Sequence, residues 1–498
     1  MNVNPITRLD YPDPDVSRVE DTYYMVSTTM HFMPGCEILQ SFDLVHWEHV
    51  TYVYETLDHT DAQQLKSGQN IYGQGMWAAS LRYHEGRFYI CFVANDTRKT
   101  YLYTSEKIDG PWKKQLIEGF YHDGSLLFDE DGRNYIVYGN DEIWITELNE
   151  DLTAPKKDGL HRLLVSDHKN PELGYEGSHI QKINGYYYIF LVHSLRYRWM
   201  RTEACFYSDS LEGEFTGGDV LCDDRGYCGQ GVAQGGIVDT PDGKWYAMLF
   251  QDSGAVGRIP ILLPVTWKDH FPVFGQNGHV PEEIEVHSTR PGYIYQPLVG
   301  SDDFCNGLLP RWQFNHDPDP RYYHLDALQG TYTITTREVC TELTQAVNTL
   351  TQRMSYPSCA AEVTVDASAL KEGDVAGLCA LQGCYAAVGI TKHHGKYEVL
   401  MLDKKEDGIL DMTEGTVVES HQMDFRLEAD FCNMKDEARC YYRVNKGDWL
   451  PIGTVHKLYF KLDHFTGCRF GLFCYAAEET GGSACFRDFK YYDVDEIS

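Results

Sequence analysis

The stretch Gly174-Tyr175-Glu176-Gly177-Ser178-His179 decides the fold, because the layout that begins there recurs along the chain. Tyr188 follows Glu176 by twelve residues, in an aromatic run behind an Asn-Gly turn. The same spacing joins three further pairs, which are Trp77 and Tyr89, Asp123 and Tyr135, and Gln234 and Tyr246. Asp13 and Tyr24 are eleven residues apart, one residue short. The chain therefore holds five copies of one unit, and a repeat is interpreted before any single motif.

Each copy has the pattern of a small antiparallel sheet. A short apolar run leads into a turn dipeptide (Asp-Gly, Glu-Gly or Asn-Gly), and an aromatic-rich strand follows. Turn dipeptides between apolar β-forming residues are the strongest short-range signal for a β-hairpin. Since the copies are 46 to 64 residues apart, the pattern predicts the five blades of a β-propeller.

Equivalent residues of the five copies should meet, because the innermost strand of every blade lines the propeller axis. The predicted convergent set is Asp13, Trp77, Asp123, Glu176 and Gln234. Any one of the acidic residues taken alone is better explained as a turn former. That explanation weakens for three carboxylates in one register, since turns require no register between copies. Glycosidic bond cleavage needs one carboxylic acid and one carboxylate on opposite faces of the sugar, and a third carboxylate raises the pKa of the acid.

Further side chains are candidate substrate contacts. Trp77 is predicted to form a stacking wall against a sugar ring, and Met30 and Phe32 could add a second wall from a loop of the first blade. For Met30 and Phe32, burial in the core is an equally good explanation. Arg258 lies among small apolar residues, where it could bind sugar hydroxyls or a catalytic carboxylate. His179 is interpreted as a satisfied or substrate-contacting histidine and not as a metal ligand.

Composition limits the classes of partner. The chain has 43 basic and 74 acidic residues and a formal net charge of −31, which argues against nucleic acid and anionic membranes as partners. No apolar run reaches membrane-spanning length, and the N-terminus lacks the pattern of a signal peptide. The 15 cysteines include no Cys-x-x-Cys pair. We therefore expect reduced thiols and a cytoplasmic location.

The repeat covers only the first part of the chain. Residues 1–290 are predicted to form the propeller, and residues 291–301 a linker rich in Pro and Gly. In residues 302–498 the repeat is absent, and period-two alternation, as in 330–335 and 361–366, predicts a two-sheet β-sandwich. The expected fold is all-β, a five-bladed β-propeller followed by a β-sandwich.

Short motifs spread over nearly the whole chain point to one family. They are Asn4-Pro5-Ile6, Tyr11-Pro12-Asp13-Pro14-Asp15, Asp43-Leu44-Val45-His46-Trp47, Trp77-Ala78, Asp123-Gly124-Ser125-Leu126 and Glu176-Gly177-Ser178-His179. Together they resemble glycoside hydrolase family 43, most closely its β-xylosidase and α-L-arabinofuranosidase branch. The region from residue 302 resembles the concanavalin A-like β-sandwich (jelly roll) that follows the propeller in that branch.

The resemblance implies a role for each of four residues. Asp13 matches the general base that activates water, Glu176 the general acid, and Asp123 the carboxylate that modulates the pKa and orientation of the acid. Arg258 matches an arginine near the substrate. The family inverts the anomeric carbon, which implies an acid and a base about 6.5–9.5 Å apart. In relatives the sandwich lends a loop to the rim of the pocket, so the resemblance implies exo-action on chain ends.

The sequence departs from the family pattern at two places. Many members carry a histidine where Gln234 stands, near an axial water or a metal ion, usually calcium. We predict no obligatory cofactor and no metal ligand, and a structural Ca2+ is the one ion that the resemblance admits. Many members also read Trp-Ala-Pro-Asp where this chain has Trp77-Ala78-Ala79-Ser80. One carboxylate at the pocket edge is thus missing, which leaves linkage and sugar preference open.

The predicted function is that of an inverting exo-glycosidase of xylan degradation. It would release xylose from the non-reducing ends of β-1,4-xylo-oligosaccharides. The alternative is an α-L-arabinofuranosidase, or a bifunctional enzyme, acting on arabinose-substituted oligosaccharides. A non-catalytic carbohydrate-binding propeller is the alternative from another class. The oligomeric state stays open, a homo-oligomer included.

Overall fold

The computed structural model describes residues 2–493 of the chain. In this range every regular element is a β-strand, apart from single-turn 3-10 helices at Lys66–Gly68, Leu343–Gln345 and Cys432–Met434. None of the helices in residues 2–493 is long and apolar enough to span a membrane. The prediction of an all-β protein is confirmed.

Five four-stranded antiparallel sheets form the blades of a β-propeller. The blades consist, in chain order, of the strands Asp15–Val19, Thr22–Val26, Gly35–Ser41 and Glu48–Tyr54 (blade I); Met76–His84, Arg87–Ala94, Lys99–Ser105 and Lys113–Ile117 (blade II); Ser125–Phe128, Asn134–Asn140, Glu142–Leu148 and His161–Ser166 (blade III); Glu176–Ile183, Tyr186–Ser194, Arg201–Ser208 and Thr216–Leu221 (blade IV); and Ile237–Asp239, Trp245–Asp252, Arg258–Lys268 and Phe271–Phe274 (blade V). The repeated tyrosines, from Tyr24 to Tyr246, all lie in second strands of blades. The first strands of successive blades contact one another around the axis, and a short pair, Asn2–Val3 with Glu283–Ile284, lies beside the last blade. The five-bladed propeller is therefore confirmed.

The second region is a sandwich of two sheets. One sheet consists of Tyr323–Asp326, Thr331–Thr335, Ser483–Asp493, Ser358–Asp366, Gln422–Asp430, Glu437–Val444 and Leu450–Lys457. The other consists of Leu410–Met412, Lys396–Lys404, Tyr385–His393, Val375–Leu381, Arg469–Tyr475, Leu350–Arg353, Gln313–Asn315 and Phe32–Met33, with Thr416–Val418 also paired to Lys396–Lys404. Apolar side chains from both sheets, such as Leu378 and Phe425, are fully buried between them. This burial holds the sheets face to face.

One strand of the second sheet belongs to blade I. Phe32–Met33 pairs with Gln313–Asn315, so the propeller supplies the edge of a sandwich sheet and covers its unpaired backbone groups. The Phe32 ring is buried with the Arg469 guanidinium 3.5 Å from its centroid. Met30 is also fully buried, and its Sδ lies 3.5 Å from the Thr466 hydroxyl. Both side chains therefore lie in the seam between the domains, and the structure does not place them at a sugar-binding wall.

A buried carboxylate, that of Asp10, joins the two domains next to the propeller axis. Its Oδ1 accepts a hydrogen bond from the Arg258 N–H at 2.8 Å, and its Oδ2 accepts one from the Gly467 N–H at 2.7 Å. The chains approach so closely that a Cβ on Gly467 would lie 2.0 Å from the Val256 carbonyl oxygen. Burial raises the pKa of Asp10 to about 6, although the two N–H donors oppose this shift. Gly467 and Asp10 together fix the position of the sandwich against blade V.

Replacing Asp10 should weaken this seam. In Asp10→Ala two buried N–H groups lose their acceptor, at about 1–3 kcal/mol each, so we expect a lower free energy of unfolding and a lower Tm. Differential scanning calorimetry measures the change, and Asp131→Ala is the control because Asp131 lies in an exposed hairpin turn and pairs only with neighbouring Arg133. Equal transitions for the two variants would contradict the assignment of Asp10 to the seam.

Candidate active site

The residues that open the five blades meet at one cavity on the propeller axis, with a volume of about 190 Å3. Its lining consists of Asp13, Trp77, His122, Asp123, Leu173, Glu176, Trp199, Arg201, Gln234, Arg258, Leu462 and Phe465. The five residues that the repeat predicts to converge are all present, and so is Arg258. Leu462 and Phe465 come from the sandwich, so both domains build the cavity.

Three of the convergent residues have a left-handed backbone. The φ angle is +52° at Asp13, +47° at Asp123 and +63° at Gln234. This conformation costs a residue other than glycine about 1–2 kcal/mol, and such costs cluster at functional sites. Equivalent positions of three blades thus share one unusual turn that ends at the cavity.

Asp13 is held through both of its carboxylate oxygens. Oδ1 accepts a hydrogen bond from Arg258 Nη1 at 2.6 Å, and Oδ2 accepts one from the Thr28 hydroxyl at 2.5 Å. Arg258 is itself fixed, because its Nε lies 3.3 Å from Asp252 Oδ1 and its guanidinium lies 3.9 Å from the centre of the Phe465 ring. A buried carboxylate oriented in this way can accept a proton from a water molecule in the cavity.

Glu176 and Asp123 share one cationic neighbour, His122. The Nε2 atom of His122 lies 3.4 Å from Glu176 Oε2 and 3.5 Å from Asp123 Oδ2. Asn140 donates a hydrogen bond to Glu176 Oε2 at 2.9 Å, and the Gly177 N–H donates one to Asp123 Oδ2 at 3.1 Å. The two carboxylates are thus bridged by an imidazole and tied to adjacent blades.

These contacts raise the pKa values of Asp123 and His122 and lower that of Glu176. Burial, and then the charges of Glu176 and Asp13, raise the pKa of Asp123 to about 6 against the opposing effect of His122. Burial alone would lower the pKa of His122, but the neighbouring carboxylates outweigh it and raise that pKa to about 9. Burial would raise the pKa of Glu176, but the hydrogen bond and charge of His122 hold it below its ordinary value. Groups this close release their protons as a set, and the imidazole keeps its proton longest.

Two cations from neighbouring blades balance the carboxylates. Arg201 is buried and forms an ion pair with Asp252. Burial and the charge of Arg258 lower the pKa of Arg201 to about 9. Together with Asp252, the two arginines form a buried network between blades IV and V. This network favours ionised oxygens nearby, which is the state that a general base requires.

The remaining predicted site residues differ in their placement. Trp77 lines the cavity and contacts the Phe465 ring edge to face, with the ring centres 5.1 Å apart. Gln234 lines the cavity as well, and its N–H donates to Glu203 Oε2 at 2.7 Å. His179 is buried with its Nδ1 3.1 Å from Asp15 Oδ1, and it is not among the lining residues. The prediction of a substrate contact for His179 is therefore replaced by a structural contact on the axis.

Several lining residues lie outside the set of site residues that the sequence predicts. His122 immediately precedes the predicted carboxylate Asp123, and this adjacency is the only sequence signal for a place in the site. Arg201 and Trp199 lie outside the repeated positions, since they come from the start of the third strand of blade IV and the loop before it. Phe465 carries no local signal at all, because its position depends on how the sandwich docks.

The cavity offers few of the oxygen ligands that calcium prefers. Within residues 2–493, one group of three potential ligands, His122, Asp123 and Glu176, has ligand atoms within 4.8 Å of one another. Ca2+ takes about six to eight oxygen ligands, whereas this group offers two carboxylates and an imidazole with a raised pKa. The group does not fit calcium and suits proton transfer better. The structural calcium near Gln234 stays a prediction.

Comparisons with characterised sequences identify both parts of the chain. The model of glycosyl hydrolases family 43 matches residues 3–272, and that of the β-xylosidase C-terminal concanavalin A-like domain matches residues 301–492. A β-xylosidase of Formosa agariphila is 26% identical over 99% of this chain and 89% of its own length. A xylosidase/arabinosidase of Butyrivibrio fibrisolvens is 24% identical and is covered over 99% of both chains.

Solved structures give the same result. A bifunctional GH43-CE protein of Bacteroides eggerthii is 42% identical with a TM-score of 0.92 over 100% of this chain, which spans 64% of that protein's length. An engineered GH43 enzyme, described as displaying both endo-xylanase and exo-arabinofuranosidase activity, is 27% identical with a TM-score of 0.88 over 99% of both chains. The family model over residues 3–272 and the 42% identical structure agree with the axial carboxylates of the propeller, and the chain belongs to glycoside hydrolase family 43.

Proposed function

We propose that the protein is an inverting exo-glycosidase that releases xylose from the non-reducing ends of β-1,4-xylo-oligosaccharides. The observation that carries the proposal is the pairing of Asp13 with Arg258 and of Glu176 with His122 around one cavity. Sites for drug-sized ligands have volumes of about 300–1,000 Å3, and this cavity measures about 190 Å3. That size supports the binding of one terminal sugar, and the walls Trp77 and Phe465 enclose it.

The geometry supports a single displacement. A water molecule attacks the anomeric carbon and passes a proton to Asp13, while the carboxylic acid of Glu176 gives a proton to the leaving oxygen. Asp123 is tied to the residue after Glu176 by the Gly177 N–H, so it orients the acid. The carboxylates also stabilise the positive charge that develops on the sugar ring in the transition state.

The choice of a pentose rests on the relatives. A β-xylosidase and a xylosidase/arabinosidase match nearly the whole chain. The engineered structure with exo-arabinofuranosidase activity supports α-L-arabinofuranosidase as the second candidate. Ser80, at the place where many members carry a carboxylate, is buried and accepts a hydrogen bond from the Leu126 N–H at 3.2 Å. Ser80 thus links blades II and III.

The ratio of kcat/KM on 4-nitrophenyl β-xyloside to that on 4-nitrophenyl α-L-arabinofuranoside decides between the xylosidase and the arabinofuranosidase.

Proton NMR of xylobiose hydrolysis tests the proposal. The wild type should release α-xylose first, because one displacement inverts the β-linkage. Asp13→Asn and Glu176→Gln should each lose about 100-fold to 10,000-fold in kcat, the usual contribution of a general acid or base. Glu130→Gln is the control, since Glu130 is an exposed carboxylate outside the cavity. Early β-xylose would contradict the role of Asp13, and no release from xylobiose would leave arabinosides as the substrate.

Phe465→Ala tests the contribution of the sandwich. The change removes the ring that covers Arg258 at 3.9 Å and opens the cavity to water. Since the ring is a wall of the cavity, its loss leaves one face of the bound sugar in water, and an apolar burial of about 1.4 kcal/mol lost in this way raises KM roughly tenfold. Leu328→Ala is the matched control, because Leu328 is a sandwich residue with 95% exposure. An unchanged KM would show that the sandwich does not contact the bound sugar.

A further inference from the structure

The side chain of His122 stands between the acid and the third carboxylate of the cavity. Its Nε2 lies 3.4 Å from Glu176 Oε2 and 3.5 Å from Asp123 Oδ2, and its ring lies edge to face with the Trp77 ring, with the ring centres 6.2 Å apart. About 20% of the side chain is exposed, and it lines the cavity. The imidazole is thus in contact both with the acid and with the space that the sugar enters.

The charged groups around the pair come from four blades. Asp123 adjoins His122 on blade III, Glu176 faces it from blade IV, and Asp13 acts on it from blade I. The arginines Arg201 and Arg258 act on Glu176 from blades IV and V. The carboxylates stabilise an imidazolium, and the arginines stabilise an ionised Glu176.

This arrangement conflicts with the task of a general acid. Glu176 has to carry a proton when the glycosidic bond breaks, yet the hydrogen bond and charge of His122 outweigh the effect of burial and hold its pKa below the ordinary value. The carboxylates raise the pKa of His122 to about 9. At neutral pH the proton next to the acid therefore resides on the imidazole.

Filling the cavity changes the balance between the two sites. A sugar expels water, and an ion pair loses more solvation than a neutral pair when its surroundings become less polar. An imidazolium beside a carboxylate can become an imidazole beside a carboxylic acid by one proton transfer across the 3.4 Å contact. Substrate binding thus favours the protonation state of Glu176 that catalysis requires.

We propose that His122 stores the proton of the acid step and transfers it to Glu176 when a sugar fills the cavity. The inference rests on the proposed function, in which Glu176 is the acid. His122 acts through Glu176 and is a positioning residue. The N–H bond of Nε2 breaks as the O–H bond of Glu176 forms, and Glu176 then protonates the leaving oxygen as the C1–O bond breaks. After product release, Asp13 loses the proton of the attacking water to solvent, and His122 takes one up from solvent.

The pH dependence of kcat/KM on phenyl β-xyloside tests the proposal, since kcat/KM reports ionisations of the free enzyme. With the proton stored on His122, the wild type keeps its acid function until the imidazolium titrates, so the basic limb should lie near pH 9. In His122→Gln only the carboxyl groups can hold the proton, and the basic limb should fall by about two pH units or more. If His122 only lowered the pKa of Glu176, its removal would move the basic limb upward. An upward shift or no shift overturns the proposal.

Two comparisons separate proton storage from a structural role. A 2,4-dinitrophenyl leaving group needs no protonation, so His122→Gln should change kcat/KM on that xyloside by less than about fivefold. His193→Gln is the matched control. His193 also lies between two carboxylates, 3.2 Å from Asp167 Oδ2 and 2.8 Å from Asp219 Oδ1, but outside the cavity lining. Both limbs of its pH profile should match those of the wild type, and a general loss of activity in both variants would indicate a structural effect and overturn the proposal.

A direct titration covers the case in which the variant does not fold. NMR of 15N-histidine-labelled wild type should show a ring that titrates near pH 9 and becomes neutral at pH 7 when xylose is added. A ring that keeps its charge with xylose bound overturns the transfer. If the wild type hydrolyses neither pentoside, the proposed function fails by itself. The titration of His122 near pH 9 needs no substrate. If no histidine ring titrates there, the proposal that His122 stores the proton is overturned even when the enzyme has no measurable activity.

Discussion

The two hydrogen bonds that Asp10 accepts determine the geometry of the whole site. They tie the N–H of Arg258 in blade V to the N–H of Gly467 in the sandwich. The guanidinium of the same Arg258 donates a hydrogen bond to Asp13 and so orients it. Phe465, two residues before Gly467 in the chain, lines the cavity. The base, its arginine and the sandwich wall therefore depend on one buried carboxylate. The cavity exists in this form only while the domains are docked.

The charge pattern of the cavity follows from the repeat. Equivalent positions of three blades bring Asp13, Asp123 and Glu176 to one axis, where burial opposes the ionisation of Asp123 and Glu176. Arg258, Arg201 and His122 offset these effects from separate blades. Side chains fixed in this way need little rearrangement when charge develops on a substrate, which is the main source of electrostatic catalysis.

The pKa values of Asp123 and Glu176 shift in opposite directions because the two carboxylates have different contacts. The resemblance implies that Asp123 modulates the pKa of Glu176, but in this structure it is Asp123 whose pKa burial raises to about 6. His122 donates to Glu176 from an adjacent blade, and this contact lowers the pKa of Glu176. Burial thus dominates at Asp123, and contact with His122 dominates at Glu176.

The sequence by itself determined the all-β class, the five blades and the convergence of five residues, because alternation, turn dipeptides and repeat spacing are local patterns that survive without tertiary context. Tertiary structure alone decided that Met30 and Phe32 pack in the domain seam and that His179 pairs with Asp15. It also decided that Phe465, 191 residues beyond the last strand of blade V, closes the cavity. Such contacts depend on docking and on buried charge partners distant in sequence, and no local pattern records them.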